Sequence, residues 1–305
     1  MALSANDDHP RLVVVRALWR MSRPDQIALV IVVFVVGVAA ATALGGEPTA
    51  DAFALGLVAV ITTATSVHIV NEYADAETDA LTRRTVFSGG SGALHEYGLP
   101  PRMALRWAAA AGVVSLAVTL IAVARESLSA TAALLLGLGL LGGWQYSVRP
   151  LAFSRHGVGE VANALLGGLL LPLFGVAAVV GEASFEDAVL FVPFTLLVFV
   201  NLLETQWPDR AADLQVGKAT LVTRLSPRAV RLLAAACTLA AYGVLPLATP
   251  TPIPVPVSIS SAAAFPVSLS TLWRITRVES PLPAVLAMLT MIVAQGAAWV
   301  YLATA

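Results

Sequence analysis

Nine apolar stretches, near residues 27–45, 53–70, 103–124, 128–147, 161–181, 188–206, 230–249, 257–273 and 281–303, each approach the length needed to cross a bilayer. A transmembrane helix takes about 20 predominantly apolar residues, so the pattern predicts an all-α polytopic membrane protein with about nine spans. Composition points the same way. The chain is 58% hydrophobic and only 12% charged, with a mean hydropathy of +0.81, against roughly 25% charged residues in an average soluble domain. The eighth stretch, "VSISSAAAFPVSLSTLW", is rich in serine and carries Pro266, which leaves a count of eight open.

The segment ahead of the first stretch, "RLVVVRALWRMSRPDQ", spreads four arginines among apolar residues, and the run from Ile27 is too long for the core of a cleavable signal. The first helix is therefore expected to be retained. Cys237 is the only cysteine, so neither an intrachain disulfide nor a cysteine-based metal site can form. Of the 18 lysines and arginines, only Arg125 falls on the opposite side when the N-terminus is set in the cytoplasm. The positive-inside bias thus places the N-terminus and the longer loops in the cytoplasm, and nine spans leave the C-terminus outside.

Two cytoplasmic loops, about 72–102 and 207–229, are longer than the rest, and both open on acids. Asn71, Asp75 and Asp79 lead into the first; Thr205, Asp209 and Asp213 lead into the second, with the same spacing of four. Such spacing turns a helix by about 40° per step, so each triplet is expected to present its oxygens along one side of two helical turns. Solvated helix ends account well for one such cluster and poorly for two of matching spacing. Acids at a helix C-terminus oppose its dipole, and ionisable groups at membrane depth tend to mark ligand paths. Carboxylates with an amide oxygen are hard ligands suited to Mg²⁺, which binds through one or two carboxylates and completes its shell with water and phosphate. Facing sets could hold a diphosphate through bridging Mg²⁺, and the chain is expected to be one domain, 1–305, of two similar halves, about 16–147 and 148–303.

The neighbouring cations suit that picture, because guanidinium and ammonium groups pair with phosphate oxygens that a metal leaves free. Arg83 and Arg84 follow the first cluster, and Arg210 accompanies the second. The positive-inside bias explains each arginine singly. Lys218 differs, being the only lysine and lying close to Asp213 in "VGKATL". "SGGSG", residues 88–92, could offer amides to phosphate or simply form a flexible loop. Glu72 and Glu77 fall off the triplet's face and are expected to be solvated. Glu204 either supports Thr205 or assists deprotonation, and His68 is expected to be a hydrogen-bonded core histidine.

These residues resemble the UbiA-type intramembrane prenyltransferases. Asn71, Asp75 and Asp79 match the family's Asn-x-x-x-Asp-x-x-x-Asp signature, and Asp209, Asp213, Gly217, Lys218, Thr220 and Leu221 match its second. "RPDQ" at Arg23 is similar to the family's N-terminal Arg-Pro, and "QYSVRPLAFSRHGVGE" is similar to its tyrosine-bearing loop. The resemblance implies nine helices around a central cavity open to lipid and cytoplasm, where Asn71 and the four aspartates bind Mg²⁺ and a polyprenyl diphosphate. It implies that Tyr146 faces an allylic cation, that Arg23 lies at the donor site, and that Arg149 or Arg155 stands in for a basic residue found elsewhere in the family. Threonine at 205 is a poorer ligand than the asparagine of close relatives. The expected activity is Mg²⁺-dependent transfer of a polyprenyl group to a small aromatic acceptor within the bilayer, one resembling 1,4-dihydroxy-2-naphthoate, with no nucleic-acid partner. Alternatives are a UbiA-type terpene cyclase acting on the diphosphate alone and a secondary transporter.

Overall fold

Hydrocarbon offers no water to a bare amide, so a long apolar segment must satisfy its backbone internally as a helix. The computed structural model describes residues 10–79 and 90–305, and these form helices with no strand among them. A short helix, α1 (Pro10–Met21), precedes α2 (Pro24–Ala43), α3 (Ala50–Asp79), α4 (Ala93–Glu96), α5 (Pro101–Ala124) and α6 (Ala130–Ser147). The next span is composite: α7 (Gly159–Ala164) passes through a π-helical turn, Leu165–Leu170, into α8 (Leu171–Val180). Then come α9 (Phe185–Gln206), the short α10 (Arg210–Gln215) and α11 (Leu221–Arg224), α12 (Pro227–Ala248), α13 (Val255–Ala262), α14 (Phe265–Arg274) and α15 (Leu282–Thr304).

Eight of these spans, counting α7–α8 and α13–α14 as one each, are long and apolar enough to cross a membrane. The 18-residue α6, whose apolar run ends on Trp144, Gln145, Tyr146 and Ser147, falls outside that set, so the count is roughly consistent with the expected nine. The serine-rich stretch does span, but in two pieces. The break falls just before Pro266, which withholds an amide hydrogen from the helix. Helix α9 starts on a capping box in which Ser184 Oγ accepts from the Asp187 amide (3.1 Å) and Asp187 Oδ2 accepts from the Ser184 amide (2.7 Å).

Lipid tails are as apolar as leucine, so helices in a bilayer gain from close approach and interhelical hydrogen bonds rather than from expelling water. The crossing of α2 and α8 shows the first device. A Cβ on Gly37 would strike the Pro172 carbonyl oxygen, and one on Gly175 would lie 2.5 Å from the Phe34 carbonyl oxygen. The same two helices feed both large apolar clusters: Val33, Val36, Leu173 and Val176 face the α9–α12–α15 side, and Phe34, Val38, Phe174 and Ala177 face α3 and α6. The second device locks α3, where Thr63 and Ser115 Oγ pair at 2.6 Å, Ser66 Oγ donates to the Ala108 carbonyl (2.7 Å) and Trp144 Nε1 donates to Ser66 Oγ (3.0 Å).

Helix α3 is the longest, with 30 residues. At about 1.5 Å per residue it exceeds the roughly 30 Å hydrocarbon core by several turns. Those turns carry Asn71 to Asp79, so the first acidic motif rides on a continuation of a membrane helix.

Candidate functional site

Because α3 is unbroken to Asp79, Asn71, Asp75 and Asp79 keep the shared face that their spacing predicts. Asn71 Oδ1 accepts a hydrogen bond from Ser147 Oγ on α6 (3.1 Å). No basic residue occupies the last turn of α3, so the positive charge that the acids and the helix dipole call for arrives from elsewhere in the chain.

The second motif is built differently. Pro208 has no amide hydrogen, and α9 ends at Gln206. The chain tightens into i→i+3 bonds, Asp209 N–H to the Gln206 carbonyl (3.2 Å) and Arg210 N–H to the Trp207 carbonyl (3.3 Å), before α10 begins. Thr205 is thus on α9, Asp209 precedes α10 and Asp213 lies within it. One regular helical face for the second triplet, expected from its spacing, is not what forms.

The end of α10 explains the Gly-Lys pair. Gly217, with φ of 68°, occupies the left-handed position after this helix. The Lys218 amide donates to the Asp213 carbonyl (2.8 Å) and the Gly217 amide to that of Leu214 (3.3 Å). This is a Schellman cap, and glycine is favoured where it must turn left-handed. The cap folds Lys218 back on its own helix. Lys218 Nζ lies 3.3 Å from Asp75 Oδ1 and 3.7 Å from Asp213 Oδ1, so one ammonium bridges the two motifs. Opposite charges about 4 Å apart attract by roughly 4 kcal/mol at an effective dielectric near 20. Burial opposes the charge on Lys218, but Asp75 and then Asp213 hold its pKa above the ordinary lysine value. Burial pushes the Asp213 carboxyl upward, and Lys218 works against that shift.

Further residues join this point. Arg155 Nη2 donates to the Ala74 carbonyl (3.2 Å) and exerts its charge on Asp213. Tyr146, half-buried, is hydrogen-bonded to Asn163 and interacts electrostatically with Lys218. Asp79 lies against Gly90. Burial, then Asp75 and Glu72, push the Asp79 carboxyl up to about 7, with Arg23 and Lys218 working against that shift. Among the described residues no three acid, histidine or cysteine side chains converge as a metal cage. A pair of carboxylates supplemented by water and phosphate, as Mg²⁺ accepts, fits the donor set.

Other expected members are committed elsewhere. Arg23 pairs with Glu72, Nη2 to Oε1 at 2.5 Å, rather than standing free. Arg210 Nε donates to the Val222 carbonyl (2.9 Å) and its guanidinium stacks over Trp207. Thr205 Oγ1 donates to the Asn201 carbonyl (2.8 Å). Arg149 is exposed, so Arg155 is the basic residue of that loop brought to the acids. Arg83 and Arg84 lie outside the described residues, as do residues 88 and 89 of the glycine-rich stretch. Glu72 is buried rather than solvated, whereas Glu77 is exposed as expected. Glu204 Oε2 accepts from the Ala284 amide (2.8 Å) at the start of α15, a structural cap. His68 is hydrogen-bonded, Nδ1 to the Ser22 carbonyl at 2.9 Å.

Glu160 is a member that the sequence did not reveal. It is buried at the start of α7, and its Oε1 accepts from the Leu221 amide (2.6 Å), tying the segment after Lys218 to the bundle. A lone acid opening an apolar run was the available signal.

Comparison with known proteins agrees with this architecture. A UbiA homolog from Archaeoglobus fulgidus, solved bound to DMAPP and Mg²⁺, superposes with a TM-score of 0.64 at 17% identity, covering 93% of this chain and 99% of that one. A UbiA homolog from Aeropyrum pernix K1, in its apo form, gives 0.65 at 18% identity over 88% and 96%. The structure of a digeranylgeranylglyceryl phosphate synthase gives 0.68 at 14% identity over 94% and 99%. No curated protein matches the chain by sequence. The family model for the UbiA prenyltransferase family matches residues 30–293, and with that match over most of its length the chain belongs to the UbiA prenyltransferase family.

Proposed function

We propose that the chain transfers a prenyl group from an allylic prenyl diphosphate to a small aromatic acceptor in the membrane, with Mg²⁺ bound between the two acidic motifs. The observation that carries this reading is the bridge at Lys218, where a carboxylate from each motif meets one ammonium although Asp75 and Lys218 stand 143 residues apart. Solved relatives bound to DMAPP or GPP with Mg²⁺ support the choice of donor and metal. The paired acidic ends also support the reading of two similar halves.

Asp75, Asp79, Asp209 and Asp213, with Asn71, would hold the metal, and Ser147 orients the Asn71 amide for that purpose. When bound, Mg²⁺ neutralises the diphosphate and stabilises its departure as a leaving group. Lys218 is placed to exchange its carboxylate contacts for a phosphate oxygen, and Arg155 contributes further positive charge. The bond between the allylic carbon and the diphosphate oxygen breaks with its electron pair going to diphosphate. The acceptor carbon then attacks the allylic cation and loses a proton. Tyr146 lends a ring face to that cation, and the apolar helices exclude water and accommodate the prenyl tail. An acceptor resembling 1,4-dihydroxy-2-naphthoate is favoured by the sequence from Asp213 to Arg228. The charge asymmetry of the loops supports a cytoplasmic site and N-terminus and an outward C-terminus.

The test is direct. Membranes containing the protein, Mg²⁺ and labelled geranyl to geranylgeranyl diphosphates are incubated with phenolic and naphthoic acceptors, and products are read by mass spectrometry. Prenylated acceptor upholds the reading. Hydrocarbon or alcohol formed equally well without acceptor points to a cyclase, and flux across proteoliposomes without any covalent product points to a transporter.

A further inference from the structure

Glu72 follows Asn71, off the face shared by the first triplet, yet its side chain is only 2% exposed. A carboxylate buried to that extent requires full compensation. Glu72 receives it: Oε1 accepts from Arg23 Nη2 (2.5 Å), Arg23 Nε (3.1 Å) and the Ser91 amide (2.8 Å), and Oε2 accepts from Ser91 Oγ (2.5 Å). Three donors converge on Oε1 and one engages Oε2, so the carboxylate is committed to this network of Arg23 and Ser91. Arg23 reaches it from the link between α1 and α2 with φ of 53°, a left-handed conformation that a non-glycine residue keeps only where its surroundings impose it. Ser91 is held from its other side as well. Arg20 Nη2 donates to the Ser91 carbonyl (3.0 Å), and Arg20 Nη1 pairs with Glu96 on α4 at 2.6 Å.

The effect reaches the acidic motif through Gly90. That residue has φ of 61°, and its backbone lies so near the end of α3 that a Cβ there would strike the Asp79 carboxylate and come within 3.3 Å of Glu72 Oε1. The chain therefore leaves α3 at Asp79 and returns to the same place. We propose that Glu72 anchors a clasp, made with Arg23 and Ser91, that seats Gly90 against Asp79 and so fixes the last carboxylate of the first motif. Glu72 is then a positioning residue. The role assigned to Asp79 rests on the proposed prenyl transfer, whereas the clasp itself does not.

Two measurements on the purified full chain separate these. Amide hydrogen exchange of the metal-free protein reads the clasp, and Mn²⁺ titration with inorganic pyrophosphate, followed by electron paramagnetic resonance, reads the site. In Glu72→Gln, which keeps the shape but leaves Arg23 unpaired, segments 72–79 and 90–97 should exchange at least about tenfold faster. Mn²⁺–pyrophosphate affinity should fall about tenfold. In turnover assays the half-saturating Mg²⁺ should rise while kcat at saturating metal stays within about threefold, a split that loss of folded protein does not produce. Ser91→Ala preserves the buried ion pair and guards against a Glu72 variant that fails to fold. It should accelerate exchange in 90–97 and weaken pyrophosphate binding about threefold. Wild-type exchange and affinity in these variants overturn the proposal. If the wild-type protein binds no Mn²⁺–pyrophosphate, the functional reading falls while the exchange data still decide the clasp, with unchanged exchange rejecting it and faster exchange upholding it.

Discussion

Asn71, Asp75 and Asp79 ride on one unbroken helix, whereas Thr205, Asp209 and Asp213, at the same spacing, are divided between the end of α9 and the start of α10. A four-residue period in sequence encodes a common face only while the helix persists, and Pro208 ends that persistence. The first motif takes its position from a helix locked sideways by Thr63, Ser66 and their partners on α5 and α6. The second takes its position from ties close in sequence, the cap at Gly217 and the Arg210 bond to Val222, and from one remote support, Glu160 holding Leu221. One motif is an extension of the bundle, and the other is assembled against it.

If both motifs serve one metal-bound diphosphate, removing a charged ligand from either should be equally severe. Asp75→Asn and Asp209→Asn should each cost more than tenfold in turnover, or over ~1.4 kcal/mol of transition-state stabilisation, while inserted and folded protein remains. Activity above about a tenth of wild type in one variant and not the other would make the site one-sided. EDTA should abolish turnover and Mg²⁺ should restore it; activity persisting in chelator assigns the carboxylates another purpose.

Lys218 tests the junction between the motifs. Lys218→Ala should lower kcat/KM by roughly tenfold or more, and Lys218→Arg should recover only part, since a planar fork replaces a compact ammonium. A change in donor KM alone would mark uniform binding, and a fall in kcat would mark a contact made in the transition state. Equal, near-wild-type kinetics for both variants would leave Lys218 as one more positive charge on its side of the membrane and leave the arginines to neutralise the diphosphate.

The dependence of the second motif on remote support is sharpened at Glu160. Its bond to the Leu221 amide joins a charged acceptor to a backbone donor, an interaction contributing about 1.5–3 kcal/mol. Glu160→Ala should reduce kcat several-fold with α10 loosened in hydrogen exchange, and Glu160→Gln, which can still accept, should lose about half that effect or less. Kinetics unchanged by Glu160→Ala would show that the cap at Gly217 suffices to place Lys218 and Asp213.

The membrane spans, the all-helical architecture and both acidic motifs were legible in the sequence because bilayer thickness and helical period are local constraints. Lys218 was legible through its uniqueness. The roles of Glu72 and Glu160 were not, because each is defined by a partner far along the chain: Arg23 and Ser91 for one, Leu221 for the other. Helical periodicity puts Glu72 off the face of the triplet, but that side is not open to solvent, because Arg23 and the Ser91 segment cover it. The division of the second triplet was written in Pro208, but whether a proline bends or ends a membrane helix depends on what packs beyond it; Pro193 lies within α9 without ending it.

The finest contrast between the motifs lies at their first positions. Asn71 accepts from Ser147 through Oδ1, an arrangement that orients the amide while the oxygen keeps a second lone pair. Thr205 instead spends its hydroxyl hydrogen on the Asn201 carbonyl one turn back, a bond that ties the side chain to its own helix. Asn71→Ala should therefore cost roughly tenfold in kcat/KM, about the contribution of one oriented polar ligand, whereas Thr205→Ala should stay within about twofold. Thr205→Asn is the informative third variant. If the residue missing from the second motif is merely a ligand, asparagine there should tighten the apparent affinity for Mg²⁺ without changing kcat. If the break at Pro208 has already carried position 205 away from the metal, Thr205→Asn should match Thr205→Ala, and the two motifs would be asymmetric by backbone rather than by residue type.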